Sequence, residues 1–427
     1  MLGAYRALTS AAAPLAPLLL GYRQRRGKED PARIGERLGR AGAPRPAGPL
    51  VWFHAASVGE TNAILPLIGS IRERRPDLTV LLTTGTVTSA RLAAARLPEG
   101  AIHQFLPLDV PSFVQGFLEH WRPDLGVFTE SEIWPNLVLG AARRGVPLLL
   151  VNARLSNRSY SRWRQRPRTS AALFGRFELV LAQNDETAAR FGELGAPKPI
   201  AVGNLKIDAP PPPADRAELG ALRRRSGDRP VLLAASTHPG EDELVIEAHR
   251  AIVGTLPNLL TIVVPRHPER AAAVAALFAA GGLSAMRRSA DDRPDLACDA
   301  YIADTIGELG LFYALAPVSF VGGSLVPHGG QNPVEAVKHG SAVLTGPHHH
   351  NFDDAYRALL GAKGCAMIRS AADLAGSACG LLEDETARAL MQARARDAIA
   401  GLSGALARTL DALDAHLPAP GSARRAS

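Results

Sequence analysis

From Leu50 onward, short runs rich in valine, leucine and isoleucine alternate with longer stretches of helical spacing. This rhythm is the mark of parallel βαβ units, in which each strand is covered on both faces by helices. The runs Leu50–His54, Leu78–Thr83, Leu125–Thr129, Pro147–Asn152, Leu179–Ala182 and Ile200–Val202 predict one parallel sheet, with helical stretches such as Asn62–Arg75 between them. Ala209-Pro210-Pro211-Pro212-Pro213 then reads as a stiff, extended linker, and the rhythm restarts. Pro230–Ser236, Leu260–Pro265, Ala300–Ala303, Val318–Val321 and Ala342–Thr345 predict a second sheet of similar size. A chain of 427 residues is long enough to give each sheet its own core. The expected class is α/β: two doubly wound lobes with an interdomain cleft, ligands binding outside the carboxyl ends of the strands. The reading divides the chain into an N-terminal segment 1–45, a first lobe 46–208, a linker 209–213, a second lobe 214–417 and a flexible tail 418–427 of Ala, Pro, Gly, Ser and Arg.

Charge is distributed unevenly. Of the net +7, residues 1–50 carry nine basic side chains against three acidic ones. Immediately ahead of most of these, Ala7–Tyr22 is uncharged and mostly apolar but is broken by Pro14 and Pro17. A spanning helix needs about 20 apolar residues. The stretch therefore reads as a segment lying in one leaflet, held by apolar burial and by attraction of the following arginines to anionic lipid. The plainer reading is an apolar helix docked on the protein's own surface. Charge behind the apolar run, without a cleavage site, argues against export and places the rest on the cytoplasmic side. Cys298, Cys365 and Cys379 form no paired or zinc-type spacing, which fits a reducing compartment.

In the first lobe, three strand ends carry chemistry. Ser57-x-x-Glu60 is a capping box, and Glu60 also stands behind a glycine at a strand end, where a helix start keeps a carboxylate ready to act as a base. Both roles are compatible. Glu130-Ser131-Glu132-Ile133-Trp134-Pro135 follows Thr129, and one of its acids is expected to face the cleft because carboxylates are rarely buried unpaired. Glu132 reads equally as a first-turn helix acid. Asn204-Leu205-Lys206 places a lysine at the cleft floor, suited to neutralising developing negative charge. Between these motifs, Arg154, Arg158, Arg162, Arg164, Arg166 and Arg168 are interleaved with Tyr160 and Trp163, a mixture that suits phosphate on nucleic acid or lipid, or else a solvated basic face.

The second lobe carries a donor-like set. Pro265-Arg266-His267 ends one strand with a guanidinium suited to phosphate or carboxylate, and Gly307-Glu308-Leu309 opens a helix after another. Gly322-Gly323-Ser324 leads into His328-Gly-Gly-Gln-Asn332-Pro333-Val334-Glu335. There the glycines let the loop approach a ligand, amides at the helix start face its phosphate, and Glu335 can accept ribose hydroxyls. Together these point to a nucleotide-sugar donor. His348, His349 and His350 do not have metal-ligand spacing, because consecutive side chains diverge.

Taken in order, the motifs resemble the 3-deoxy-D-manno-octulosonic acid (Kdo) transferases of lipopolysaccharide assembly. The match runs from the apolar N-terminus through Ala56–Glu60, Glu130–Pro135, Asn204–Lys206, Pro265–His267 and Gly329–Glu335 to His350-Asn351-Phe352. The resemblance implies a GT-B fold of two Rossmann-like lobes, the first for acceptor and the second for donor. It implies CMP-Kdo as donor, lipid IVA as acceptor, inversion at the anomeric centre, no cofactor or metal, and no nucleic-acid partner. By the same resemblance Glu60 is the general base, and Glu130 and Lys206 stabilise the transition state. Pro265, Arg266, Gly307, Glu308, Leu309, Asn332, Pro333, Val334 and Glu335 hold CMP. An envelope GT-B enzyme using a UDP-sugar is the alternative; its second donor phosphate would call for more loop amides. The expected location is the cytoplasmic face of the inner membrane, against anionic lipid.

Overall fold

The computed structural model describes residues 1–290, 294 and 298–420. Two compact units are present: Met1–Ala209 together with the described residues from Ser403 on, and Pro210–Leu402. Most of the expected flexible tail, residues 421–427, lies outside the described residues.

The first unit is built on a seven-stranded parallel sheet. Its strands are β1 (Leu50–His54), β2 (Thr79–Thr84), β3 (Ala101–Phe105), β4 (Leu125–Thr129), β5 (Leu148–Ala153), β6 (Leu179–Ala182) and β7 (Pro199–Ala201). Their order is β3-β2-β1-β4-β5-β6-β7. Alternation within β1 shows why the apolar runs are continuous. Val51 and Phe53 enter one core with Ile64, Leu67 and Ile68 of the helix Val58–Arg74, while Leu50 and Trp52 enter the opposite core with Phe117, Trp121 and Phe128. Both faces of the strand from Leu50 to Phe53 are therefore packed against apolar side chains, as in a sheet covered on both sides. Trp52 stands 5.0 Å from each of the rings of Phe117 and Phe128. Gly126 on β4 lies beside it, where a Cβ would collide with Leu148.

The second unit repeats the plan with β8 (Val231–Thr237), β9 (Leu260–Pro265), β10 (Ala285–Arg287), β11 (Ala300–Ile302), β12 (Val318–Val321), β13 (Ala342–Thr345) and β14 (Cys365–Met367), in the order β10-β11-β9-β8-β12-β13-β14. Three strands were not readable as apolar runs, namely β3, β10 and β14, and all three lie at sheet edges. Edge strands are short and one-sided, so they carry a weak apolar signal. The edge at β3 is covered by the N-terminal segment. Glu36 accepts from the Phe105 amide at 2.6 Å, and Arg37 donates to the Leu106 carbonyl at 3.0 Å while pairing with Glu29 at 2.9 Å.

One expected boundary is corrected. The apolar rhythm places residues up to 417 in the second lobe, but the helix Ala405–Asp414 belongs to the first unit, burying Ala405, Leu410 and Leu413 in the same core as Val51 and Ile64. Asp208 fixes the start of that helix by accepting from the amides of Gly404 (2.9 Å) and Leu406 (2.6 Å). A linear reading cannot see a terminal helix that returns to the first sheet. The proline run packs on the second unit: a Cβ on Gly310 would fall on the carbonyl oxygens of Pro212 and Pro213, and the His339 ring nitrogen lies 2.9 Å from the Pro212 oxygen.

At the N-terminus, the helices Leu2–Ala11 and Ala16–Arg25 flank a 3-10 turn at Ala13–Leu15, where Pro14 and Pro17 each fall at a helix start. Leu8, Leu15, Leu18 and Leu19 are exposed, and among the described residues no helix is long and apolar enough to cross a membrane. Tyr5 donates to Asp109 at 2.9 Å and Asn136 donates to Thr9 at 2.9 Å, which ties the first helix to the first unit.

Candidate active site

In the first sheet β1 and β4 are neighbours, and the strand order runs away from them in opposite directions. That reversal is the position where doubly wound sheets open a crevice at the carboxyl ends of their strands. The segments leaving β1 and β4 carry Glu60 and Glu130. The capping box forms as read: the Ser57 hydroxyl accepts from the Glu60 amide at 3.3 Å, and the Glu60 carboxylate accepts from the Ala56 amide and the Ser57 hydroxyl at 2.8 Å each. These bonds fix the carboxylate while leaving it lone pairs for a proton. Burial, followed by the negative charges of Glu130 and Glu132, pushes its pKa up to about 7.

Glu130 is buried and ion-paired to Lys206, with Nζ to Oε1 at 2.5 Å. Asn152 organises this pair. Its side-chain amide donates to Glu130 Oε1 at 3.3 Å, and its Oδ1 accepts from the Leu205 amide at 3.0 Å, beside Lys206. Asn204 caps the same turn by accepting from the Lys206 amide at 3.0 Å. Glu130 (φ 56°) and Asn152 (φ 50°) both have left-handed backbones, a conformation tolerated at functional positions at some cost in energy. Lys206 Cε would be 4.0 Å from a Cβ on Gly59, so the lysine lies beside the turn that carries Glu60. Glu60, Glu130 and Lys206 thus form one cluster.

Glu132 turns inward as well. It accepts from Trp134 Nε1 at 3.0 Å and lies 3.7 Å from the buried His54 ring. Burial raises its pKa, but the His54 and Trp134 interactions outweigh this and hold it below the usual carboxylate value. The following helix starts at Pro135, so Glu132 is not a first-turn acid. Arg158, Arg162, Arg164, Arg166 and Arg168 are exposed, whereas Tyr160 contacts Glu193 and Trp163 packs on Phe174 at 5.2 Å. The aromatics of that segment are structural, and the arginines form an open basic face.

In the second sheet the order turns at β8 and β12. Pro265 ends β9, and Arg266 after it is exposed, with its amide donating to the Thr237 carbonyl at 3.0 Å. Gly307 has φ 93°, and Glu308 is gripped by Arg288 through two bonds of 2.9 and 2.5 Å, which lower its pKa. Leu309 opens the helix Leu309–Leu315. Asn332, at the start of the helix Pro333–Lys338, accepts from the Val334 amide and donates to Glu335, both at 3.1 Å. The Val334 amide, expected to face a phosphate, is therefore already used by the cap. His350 and Asn351 brace the glycine loop: a Cβ on Gly329 would strike both, and Asn351 donates to the His328 carbonyl at 2.9 Å. Among the described residues no cluster of His, Cys, Asp or Glu side chains is arranged to hold a metal ion.

Asn152, His238, Glu241 and Arg288 stand outside the motifs of both lobes, yet each contacts a residue or loop of the candidate sites. His238 stacks on His328 with ring centroids 4.1 Å apart, and burial, then neighbouring His328, His267 and the nearby arginines, lower its pKa to about 4. Gly240-Glu241 behind β8 repeats the Gly59-Glu60 pattern behind β1, a signal the sequence does contain.

Residues 32–209 match the family model for 3-deoxy-D-manno-octulosonic-acid transferase (kdotransferase). A 3-deoxy-D-manno-octulosonic acid transferase of Haemophilus influenzae is 34% identical over 97% of this chain and 98% of its own length. The Bordetella pertussis protein of the same name is 38% identical over 96% and 98%. Among solved structures, a putative UDP-N-acetylglucosamine 2-epimerase from Listeria monocytogenes superimposes with TM-score 0.59 at 14% identity, covering 87% of this chain and 97% of that one, a likeness of fold.

Proposed function

The chain belongs to the Kdo transferase family and transfers Kdo in lipopolysaccharide biosynthesis, and from that premise we propose that it moves Kdo from CMP-Kdo to lipid IVA, inverting the anomeric centre without a metal. The observation that carries the mechanism is the buried Glu60 with its pKa near 7, held beside the Glu130–Lys206 pair. A base tuned to the working pH is half ionised there and takes a proton effectively. Glu60 accepts the proton of an acceptor hydroxyl as that oxygen bonds to the anomeric carbon. The bond from that carbon to the phosphate oxygen breaks, and CMP leaves with the electron pair. Attack opposite the leaving group inverts the centre. Lys206 supplies positive charge near the reacting atoms, and Glu130 fixes its position. Arg266 neutralises the departing phosphate, with Pro265, Gly307, Glu308, Leu309 and Asn332 to Glu335 around the nucleotide; these cations do the work a metal would otherwise do.

The exposed leucines at 8, 15, 18 and 19, beside exposed Arg6, Arg25, Arg26 and Lys28, support peripheral attachment to anionic lipid at the cytoplasmic face of the inner membrane. Arg23, Arg33 and Arg37 are ion-paired within the protein and do not contribute to it. The test is transfer of labelled Kdo from CMP-Kdo, generated in situ, to lipid IVA by the purified protein in detergent with chelator. Product with inverted configuration supports the reading. Folded protein that makes no product but uses a UDP-sugar overturns it.

A further inference from the structure

The glycine-rich loop behind β12 presents successive backbone N–H groups, a geometry that ordinarily forms an anion-binding concavity at a strand end. Here the concavity is already filled from within. Glu241 has no exposed surface, and its carboxylate accepts from the amides of Gly323 (2.7 Å), Ser324 (3.0 Å), Leu325 (2.9 Å) and His238 (2.9 Å). Gly323 has φ 67°, the left-handed turn that aims these donors inward. A Cβ on Gly322 would strike the Glu241 carboxylate, so the approach requires glycine. The neighbouring guanidinium of Arg270 is also engaged, with Asp242 and with the Thr237 carbonyl at 3.0 Å, whereas Arg266 stays exposed.

We infer that Glu241 is a specificity-determining positioning residue: by occupying the amides of residues 323–325 with its own carboxylate, it makes the donor loop a site for one phosphate and denies a second phosphate the contacts it would need. The inference deepens the proposed function, since a sugar carried on a nucleoside monophosphate is the class such a loop admits. Glu241 does not touch the donor. It holds the loop in shape and repels a second phosphate by charge.

The test separates the phosphate count from the base. Binding of CMP, CDP, UMP and UDP to the full-length protein is measured by calorimetry for the wild type, Glu241→Gln and Glu241→Ala. Within each base the wild type is expected to bind diphosphate no more than about threefold tighter than monophosphate. Glu241→Ala, which empties the concavity, is expected to raise that ratio by about tenfold or more, the scale of one charge-assisted phosphate contact. It is also expected to gain thermal stability in inorganic phosphate where the wild type does not. Glu241→Gln keeps an acceptor in the loop, guards against misfolding, and is expected to give a smaller rise. A wild-type preference of tenfold or more for either diphosphate, or ratios unchanged in both variants, overturns the inference. Binding of uridine but not cytidine nucleotides at equal mono- and diphosphate affinity overturns the CMP-Kdo reading and leaves the inference standing. Binding of none of the four overturns both.

Discussion

At the scale of single residues, the site depends on keeping a carboxylate where water would rather have it ionised. Glu60 takes up a proton more readily in the folded chain than unfolded, its pKa moving from 4.5 to about 7. Its ionised form therefore destabilises the fold, and the cost grows as pH rises from about 4.5 through 7. Glu60→Gln is expected to melt higher than wild type at pH 8, by on the order of 1 kcal/mol in stability, with the difference shrinking as pH falls from about 7 and gone below about 4.5. The same variant is expected to lose roughly 10²–10⁴ in kcat while keeping its affinity for CMP. A second prediction concerns Asn152, which is bonded both to Glu130 and to the turn carrying Lys206. Asn152→Ala frees the ion pair, and transfer should fall by about tenfold or more in kcat with little change in donor KM. Steady-state kinetics decide between this and a general loss of folded protein. Glu60 was legible in the sequence because a capping box, a glycine and a strand end coincide within a few residues. Asn152 was not, because an asparagine closing an apolar run shows its partners only when β5 is placed beside β4.

At the scale of elements, parallel βαβ units announce themselves wherever both faces of a strand are buried, as at β1, β4 and β9. The signal fades at β3, β10 and β14, where one side is edge. It fails for the helix Ala405–Asp414, since nothing local says which sheet a terminal amphipathic helix will cover. That placement is testable. Leu413 is fully buried in the core shared with Val51, so Leu413→Ala is expected to cost about 2–5 kcal/mol in the first unit, read by denaturant unfolding. Truncation after Leu402 should expose the same groove and bring dye binding and aggregation. A truncated chain that melts like the full one would place the helix elsewhere.

At the scale of the whole molecule, the basic charge divides into used and unused parts. Arg33 and Arg37 are engaged with Glu36, Glu29 and the β3 edge, whereas Arg6, Arg25, Arg26, Lys28 and the arginines at 158–168 remain exposed. The proposed attachment through the exposed leucines and these cations should respond to salt and to lipid charge. Co-sedimentation with vesicles containing phosphatidylglycerol is expected to weaken several-fold between 50 mM and 500 mM salt. It should weaken further in a Leu18→Asp, Leu19→Asp double variant, with nucleotide binding unchanged. Equal binding to neutral vesicles would assign the attachment to apolar burial alone.

The central claim is that a buried Glu60, poised near neutral pH, is the base for Kdo transfer, and the pH dependence of kcat/KM measures it most directly. Wild-type transfer to lipid IVA should rise tenfold per pH unit on the acid side, bend at about 7, and be flat above it. Glu60→Gln should show a low rate without that bend. A wild-type profile flat from pH 5 to 9, or a Glu60→Gln variant that keeps both rate and bend, would contradict the account.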